Sequence, residues 1–463
     1  MKAHDPLLAA WDETLARKGE TAAIFDTRGE VAQTFRQIDE QAQAFAQKID
    51  ICPAGGVLAV QIGNHESWPA IFLACVRRGI VVLPLDESVG DQRRRLVFKT
   101  CRVVAAAVSG GRDVNILPAE TPAATTHWQQ IPALLKLTSG TTAAPRMIRF
   151  RSAQLLADCD QICETMGIED VDLNFGVIPI SHSYGFSNLL TPLIARGVPL
   201  VLSRDRTPRA LLVDLARTGA TVFPGTPVFY QALAEMDEAP LLPKLRLCIS
   251  AGAPLPVAVA RKFRGTFKLA VHSFYGASEC GGICYDREAT NEVEGFVGQP
   301  MKDVDLRMVE PEAAASQVRV RSAAAGDGYF PDPDEEKLGD GSFLPDDLLE
   351  QTSNGFRIVG RVSDVINVGG KKVNPIEVEA QLLRFAGVRQ AVVFGRESVR
   401  RNQEVAACVV ADTRVREDDL LRFCRETLSA WQAPKRIFLL DSIPANERGK
   451  ISRRELAQRF GNR

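Results

Sequence analysis

Histidine is scarce in this chain, with five copies in 463 residues, and the ten cysteines form no CxxC…CxxC or His-rich spacing. A zinc centre therefore has no ligand set in the sequence. Two cysteine pairs, Cys159/Cys163 and Cys280/Cys284, have four-residue spacing and sit in apolar surroundings. They read as small buried hydrophobes, and without a secretion signal disulfides are not expected. Charge of one sign is also lacking. With 56 Lys+Arg against 57 Asp+Glu the net is -1, which argues against a dedicated nucleic-acid binder. No run approaches ~18 uninterrupted apolar residues, so no membrane span is expected. The opening MKAHDPLLAAWDETLARKGE has no signal-peptide core, which makes the cytoplasm the expected location. No internal repeat is present. No Gly-Lys-Ser/Thr completes a Walker A loop, and no GxGxxG opens a helix, so neither a P-loop nor a dinucleotide site has support.

What is present is ordinary globular composition, 45% apolar and 24% charged, in a chain long enough for roughly two to four domains. Residues 35–49 carry apolar side chains at helical spacing. Residues 57–62, 66–78 and 80–85 read as strand, helix and strand, a parallel βαβ unit. Residues 118–126 read as a surface loop. The α/β alternation resumes through 201–203, 211–217, 221–223, 245–250 and 269–273. The Gly-, Asp- and Pro-rich stretch 323–341 predicts an exposed, irregular segment. Residues 357–463 hold about 21 basic against about 13 acidic residues, so a basic small lobe follows an acidic large one. Such a lobe suits an anionic partner, although a solvated basic surface explains it equally well.

The strongest local signal is LTSGTTAAPRMIRF, residues 137–150, following the apolar string 133–135. A strand running into consecutive hydroxyls, backbone N–H groups and a glycine offers a cradle for phosphate oxygens. Thr138, Ser139, Gly140, Thr141, Thr142 and Pro145 resemble the TSGTTGxPKG signature of the acyl-adenylate-forming superfamily, which includes acyl-CoA synthetases, adenylation domains and luciferase-like enzymes. Ala143, Arg146 and Met147 depart from it. Arg146 keeps the positive charge of the usual Lys but not its compact ammonium.

Further resemblances follow in the family's order. PISHSYG, residues 179–185, resembles the segment lining the acyl pocket. Ser250, Ala251, Gly252, Ala253 and Pro254 (SAGAP) resemble the adenine-contacting turn. Tyr275, Gly276, Ala277, Ser278 and Glu279 (YGASE) resemble YGxTE, whose aromatic ring stacks on adenine and whose carboxylate holds Mg2+. Asp347 stands where a TGD aspartate binds the ribose, with Pro345 and Asp346 replacing its neighbours. Arg361, then Ser363 and Asp364 as the hinge, then the glycine loop Gly369-Gly370, match the family over residues 360–379. Lys450 has the spacing of the near-terminal catalytic lysine.

The resemblance implies an α/β fold: a large multi-sheet αβ domain over 1–360 and a small mobile α+β domain over 361–463. It implies that a carboxylate attacks the α-phosphate of ATP, giving an acyl-AMP and pyrophosphate. Ser139, Thr141 and Thr142 would hold the β/γ phosphates, Glu279 the Mg2+, and Lys450 would draw the two anions together. The acyl group then passes to a thiol, on coenzyme A or on the phosphopantetheine of an acyl carrier protein. No carrier domain follows Lys450 in this sequence, so the acceptor is expected to come from outside. His182 occupies the place where amino-acid-activating relatives put an acidic residue, which disfavours an α-amino acid; a packed, hydrogen-bonded histidine is the other reading of this residue. Tyr184, Phe186, Gly225, Thr226 and Phe229 are expected near the acyl chain, pointing to a fatty or aryl acid. The altered phosphate loop leaves one reading of another class, a degenerate nucleotide- or acyl-binding protein.

Overall fold

A computed structural model describes residues 5–111, 113–119, 126–138, 145–236, 240–398, 402–444 and 451–460. The segment 57–85 forms the expected βαβ unit: strand Val57–Gln61, helix Trp68–Arg78 and strand Val81–Pro84, with the two strands parallel. Every residue of that helix from Trp68 to Cys75 is buried, as an apolar sequence on all sides demands. It stops at Gly79, whose φ of 64° is the left-handed conformation that closes a helix without Cβ strain.

The chain divides into two compact units, one of residues Met1–Arg307, Arg319–Pro345 and Asn354–Phe356, the other of Met308–Val318, Asp346–Ser353 and Arg357–Arg463. In the large unit a seven-stranded sheet runs in the order Tyr329–Phe330, Met147–Phe150, Leu134–Leu137, Val81–Pro84, Val57–Gln61, Val103–Gly110, Asp113–Pro118. A second sheet runs through Val31–Thr34, Ala22–Phe25, Leu200–Leu202, Asn174–Gly176, Val222–Gly225, Leu247–Ser250, Val271–Ala277, Gly281–Tyr285 and Phe296–Pro300. From Ala22–Phe25 to Val271–Ala277 its neighbours are parallel. Strands of this kind, buried on both faces, need apolar runs rather than alternation, and LCIS and VFPG are buried throughout.

The stretch 323–341 divides in two: residues 331–341 are mostly exposed and irregular, as the sequence predicts, whereas Ala324, Ala325 and Tyr329 are at most 3% exposed, and Tyr329–Phe330 pairs antiparallel with Met147–Phe150. Glycine is the reason. A Cβ on Gly326 would lie 3.0 Å from the Arg149 carbonyl oxygen and closer still to Ile148, so only a residue without one packs here.

In the small unit, strand Asn402–Ala411 is central: it pairs with Val388–Ser398, Ile366–Val368 and Arg436–Leu439. Its alternate side chains serve two cores. Val405, Ala407 and Val409 pack with Val378, Leu382, Leu420 and Cys424, whereas Ala406, Cys408 and Val410 pack with Leu456 and Phe460. The period of two along a strand puts these sets on opposite faces, each covered by helix. All ten cysteines are buried and unpaired. Among the described residues, no helix is long and apolar enough to cross a membrane.

Candidate active site

Three adjacent parallel strands of the large unit, Val222–Gly225, Leu247–Ser250 and Val271–Ala277, end in Gly225-Thr226, Ser250–Pro254 and Tyr275–Glu279 respectively. Registers Gly225↔Ser250 and Ser250↔Ser273 align these ends. The crevice beyond the carboxyl ends of parallel strands is where open α/β sheets bind ligands. Ala251 N–H donates to the Gly225 carbonyl at 3.2 Å, and Gly252 turns the chain at φ 86°. Gly252, Ala253 and Pro254 are exposed, while Ser250 is 2% exposed and its Oγ has no partner among the described residues. Tyr275 is 8% exposed on its strand.

The strand Val271–Ala277 turns through Ser278–Cys280 into Gly281–Tyr285. Gly281, at φ 70°, sits against the Asp158 carboxylate where a Cβ would overlap it, and Asp158 Oδ1 accepts the Gly282 N–H at 3.0 Å. This fixes the turn carrying Glu279. Ser183 Oγ donates to Ser278 Oγ at 2.9 Å, which joins the PISHSYG segment to the YGASE turn. Tyr329 OH donates to Glu279 Oε1 at 3.1 Å, and the Glu279 carbonyl accepts the Gly326 N–H at 2.9 Å.

The predicted phosphate loop is the connection of a hairpin. Leu134–Leu137 pairs antiparallel with Met147–Phe150, and the Thr138 N–H donates to the Arg146 carbonyl at 2.9 Å. Ser139, Gly140, Thr141, Thr142 and Ala143 lie outside the described residues, as does Lys450. Arg146 is described, and its guanidinium is already engaged. It lies 3.7 Å above the Tyr329 ring, 3.5 Å from Asp334 Oδ2, and donates to the Asp332 carbonyl at 3.2 Å.

Among the predicted pocket residues, His182 Nε2 lies 3.3 Å from Asp86 Oδ2. Tyr184 OH donates to the Ile249 carbonyl at 3.1 Å, so its polar end is tied to the central sheet. Phe186 is 1% exposed and packs edge-on against Phe72 at 5.1 Å, a core position. It opens the π-helical turn Phe186–Leu190, a distortion often found at functional sites. Thr226 precedes helix Pro227–Ala234, which carries the half-buried Phe229.

In the small unit, Arg361 Nε donates to Asp347 Oδ1 at 2.7 Å, which brings the predicted ribose-binding aspartate against Arg361, a second predicted cofactor-binding residue. Ser363 and Asp364 lie in the 3-10 turn Val362–Asp364. Asp364 pairs with Arg453 at 2.9 Å. Gly369 and Gly370, at φ 59° and 85°, make the turn between Ile366–Val368 and Lys371–Val373. A Cβ on either would meet open space, so backbone conformation rather than crowding selects glycine there.

Sequence reasoning missed Asp86, Lys136 and Tyr329. Lys136 left a signal, a lone charge inside the apolar string ALLKL. It is 5% exposed, with Nζ 3.5 Å from Ser187 Oγ and 4.5 Å from the Phe150 ring centre. Burial pushes this amine below its ordinary range, and the Asp158 charge opposes that shift. The hydrogen bond from His182 holds the Asp86 carboxyl well below the usual carboxylate range, with Ser88 assisting and burial opposing. A depressed folded-state value means that the stabilisation is present above the unfolded value and is lost as pH falls. Asp86→Asn is expected to flatten the loss of stability that wild type shows below about pH 4, read from urea unfolding at several pH values. An unchanged slope would show that the pair adds nothing to folding.

Comparison with known proteins agrees with these features. Residues 11–329 match the family described as AMP-binding enzyme, and residues 377–450 match the AMP-binding enzyme C-terminal domain. A feruloyl-CoA synthase from an Amycolatopsis species is 26% identical over 98% of this chain and 99% of its own length. A 3,4-dihydroxybenzoate–[aryl-carrier protein] ligase of Bacillus anthracis is 26% identical over 70% of this chain and 73% of its own. The crystal structure of ATP-bound MatB from Rhodopseudomonas palustris superposes with a TM-score of 0.86 at 22% identity, covering 98% of this chain and 99% of that one, a likeness of fold. The family match spans most of the chain, and the chain belongs to the AMP-binding enzyme family of acyl-adenylate-forming ligases.

Proposed function

We propose that the chain activates a non-amino carboxylic acid, fatty or aryl, with ATP and then passes the acyl group to the thiol of coenzyme A. In the first step a carboxylate oxygen forms a bond to the α-phosphorus and the bond to the β-phosphate oxygen breaks, releasing pyrophosphate. Two anions must meet, so positioning and charge neutralisation matter more than covalent help. The observation that carries this reading is the junction at Ser183–Ser278, which brings the acyl-pocket segment against the turn that bears Glu279. The buried, unpartnered Ser250 hydroxyl supports nucleotide contact at the neighbouring strand end. His182 in place of a carboxylate supports a non-amino acid, and the feruloyl and dihydroxybenzoate relatives favour an aryl acid.

Thr138, Ser139, Gly140, Thr141 and Thr142 would cradle the phosphates. The Ser250–Pro254 turn and Tyr275–Ser278 would receive adenine, Asp347 and Arg361 the ribose, and Gly369-Gly370 the thiol arm. Among the described residues, no group of three His, Cys, Asp or Glu could hold a metal without other ligands. A single carboxylate suits Mg2+, which usually keeps several waters and shares its coordination with substrate phosphates, so Glu279 would hold the ion as it arrives with ATP. When bound, the ion neutralises phosphate charge. Ser363-Asp364 would act as the hinge of the small domain, 361–463, against the large domain, 1–360. We place the reaction in the cytoplasm.

ATP–pyrophosphate exchange against fatty, aryl and amino acids tests this reading. Exchange is expected with a fatty or aryl acid and not with amino acids. Silence across the panel, with nucleotide binding intact, would instead favour a degenerate binder. The basic small unit and the aryl-carrier relative favour a second acceptor, an acidic acyl carrier protein. Transfer assays with coenzyme A and with a carrier protein separate the two.

A further inference from the structure

Tyr329 was not a candidate on sequence grounds, and in the large unit it touches two residues that were. Its hydroxyl donates to Glu279 Oε1 at 3.1 Å, and its ring carries the Arg146 guanidinium at 3.7 Å. Its own position is over-determined. Residues 329 and 330 pair with 148 and 147 on the outgoing strand of the phosphate-loop hairpin. Just before them, Asp327 accepts two hydrogen bonds from Arg151, at 2.7 and 2.8 Å, and one from Gln154 at 2.8 Å. The Gly326 N–H meets the Glu279 carbonyl. Arg146 is held in turn by Asp334 and the Asp332 carbonyl. The result is a continuous series from Asp334 through Arg146 and Tyr329 to Glu279, in which Arg146 belongs to the hairpin whose loop matches the phosphate signature.

Resting on the adenylate-forming reading, we propose that Tyr329 is a positioning residue for the Glu279 carboxylate, setting its orientation toward the metal that accompanies the nucleotide, and that Arg146 acts through Tyr329. A phenol donating to one carboxylate oxygen fixes the rotation of the group and leaves its direction independent of the bound nucleotide. The planar guanidinium explains why arginine replaces lysine here. It stacks on a ring face while forming an ion pair at its edge, and an ammonium lacks that flat surface. On this account the substitution at 146 is matched to Tyr329 and leaves the nucleotide site intact.

The test is calorimetric binding of ATP to the full chain with Mg2+ and with EDTA, for wild type, Tyr329→Phe, Arg146→Lys and the double variant. Losing a hydrogen bond to a charged group corresponds to about ten-fold or more, so Tyr329→Phe is expected to weaken binding of Mg2+-ATP by about ten-fold. Binding of metal-free ATP stays within about two-fold, a split that loss of packing would not produce. Arg146→Lys is expected to weaken Mg2+-ATP binding less, and the two changes are expected to be non-additive because they act through one contact series. Exchange assays should show the KM for Mg2+-ATP rising with the KM for the acid unchanged. Equal weakening with and without metal, or full additivity, would overturn the proposal. Wild-type binding that Tyr329→Phe leaves unchanged would overturn it while sparing the adenylation reading. A wild-type chain that binds no nucleotide at all would overturn both.

Discussion

Lys450→Ala is expected to slow acyl-AMP formation by about 10²–10³-fold, the usual cost of removing one group that stabilises charge in the transition state. The physical reason is the approach of a carboxylate to an already anionic phosphate. A cation between them offsets that repulsion, and its value is largest where the new O–P bond is half made. The effect therefore belongs in kcat for adenylation, with the KM for ATP changing little. Transfer from supplied acyl-AMP to the thiol involves no such meeting of anions and is expected to survive within about ten-fold. Single-turnover formation of acyl-AMP, measured apart from thiol transfer, checks both halves. An undiminished first step would remove the lysine from the mechanism.

Arg453→Met is expected to destabilise the small unit by about 1–3 kcal/mol, the range for leaving a partly buried charged group without its hydrogen-bond partner. Arg453 donates to Glu379 at 2.8 and 3.0 Å, to Asp364 at 2.9 Å and to the Val393 carbonyl at 3.0 Å. The Glu379 side chain is 13% exposed, and its Oε1 also accepts the Val393 N–H at 2.7 Å. Burial already raises the Glu379 carboxyl above its ordinary value, and Arg453 opposes that rise. Without the guanidinium the shift grows. A raised folded-state value makes the protonated form the more stable one, so the contribution of Glu379 is present below the unfolded value and lost as pH rises through the folded one. The deficit of Arg453→Met should thus be smallest near pH 4–5 and largest at neutral pH. Adding Glu379→Gln should recover part of it. Urea unfolding of the variants across that range is the check, and a pH-independent deficit would assign the loss to packing alone.

Local patterning carried much of the architecture. Apolar strings with their flanking glycines gave the βαβ unit at 57–85 and the run of parallel strands in the second sheet, because a buried strand and its covering helix leave signatures within a few residues of each other. Motif order gave the family. Asp347 with Arg361, and the PISHSYG segment with the YGASE turn, were singled out separately along the chain, and the structure brings each pair into contact. Phe186 shows where this reasoning weakens. An aromatic residue after a pocket motif looks the same in sequence whether it faces a ligand or, as here, the Phe72 ring.

The sequence by itself determined the fold class, the family and the candidate residues, since each depends on residue type at short spacing. Tertiary structure alone decided what those residues touch. The Gly- and Asp-rich segment at 323–341 lacks apolar periodicity, so the burial of its first part, through Tyr329, depends on a strand pairing with residues 147–150, almost two hundred positions earlier. That pairing sets Tyr329 between Arg146 and Glu279. Asp86 meets His182, and Arg453 meets Asp364 and Glu379, in the same way. Contacts of this range form only after loops have closed and backbones have packed, and no spacing rule along the chain encodes them.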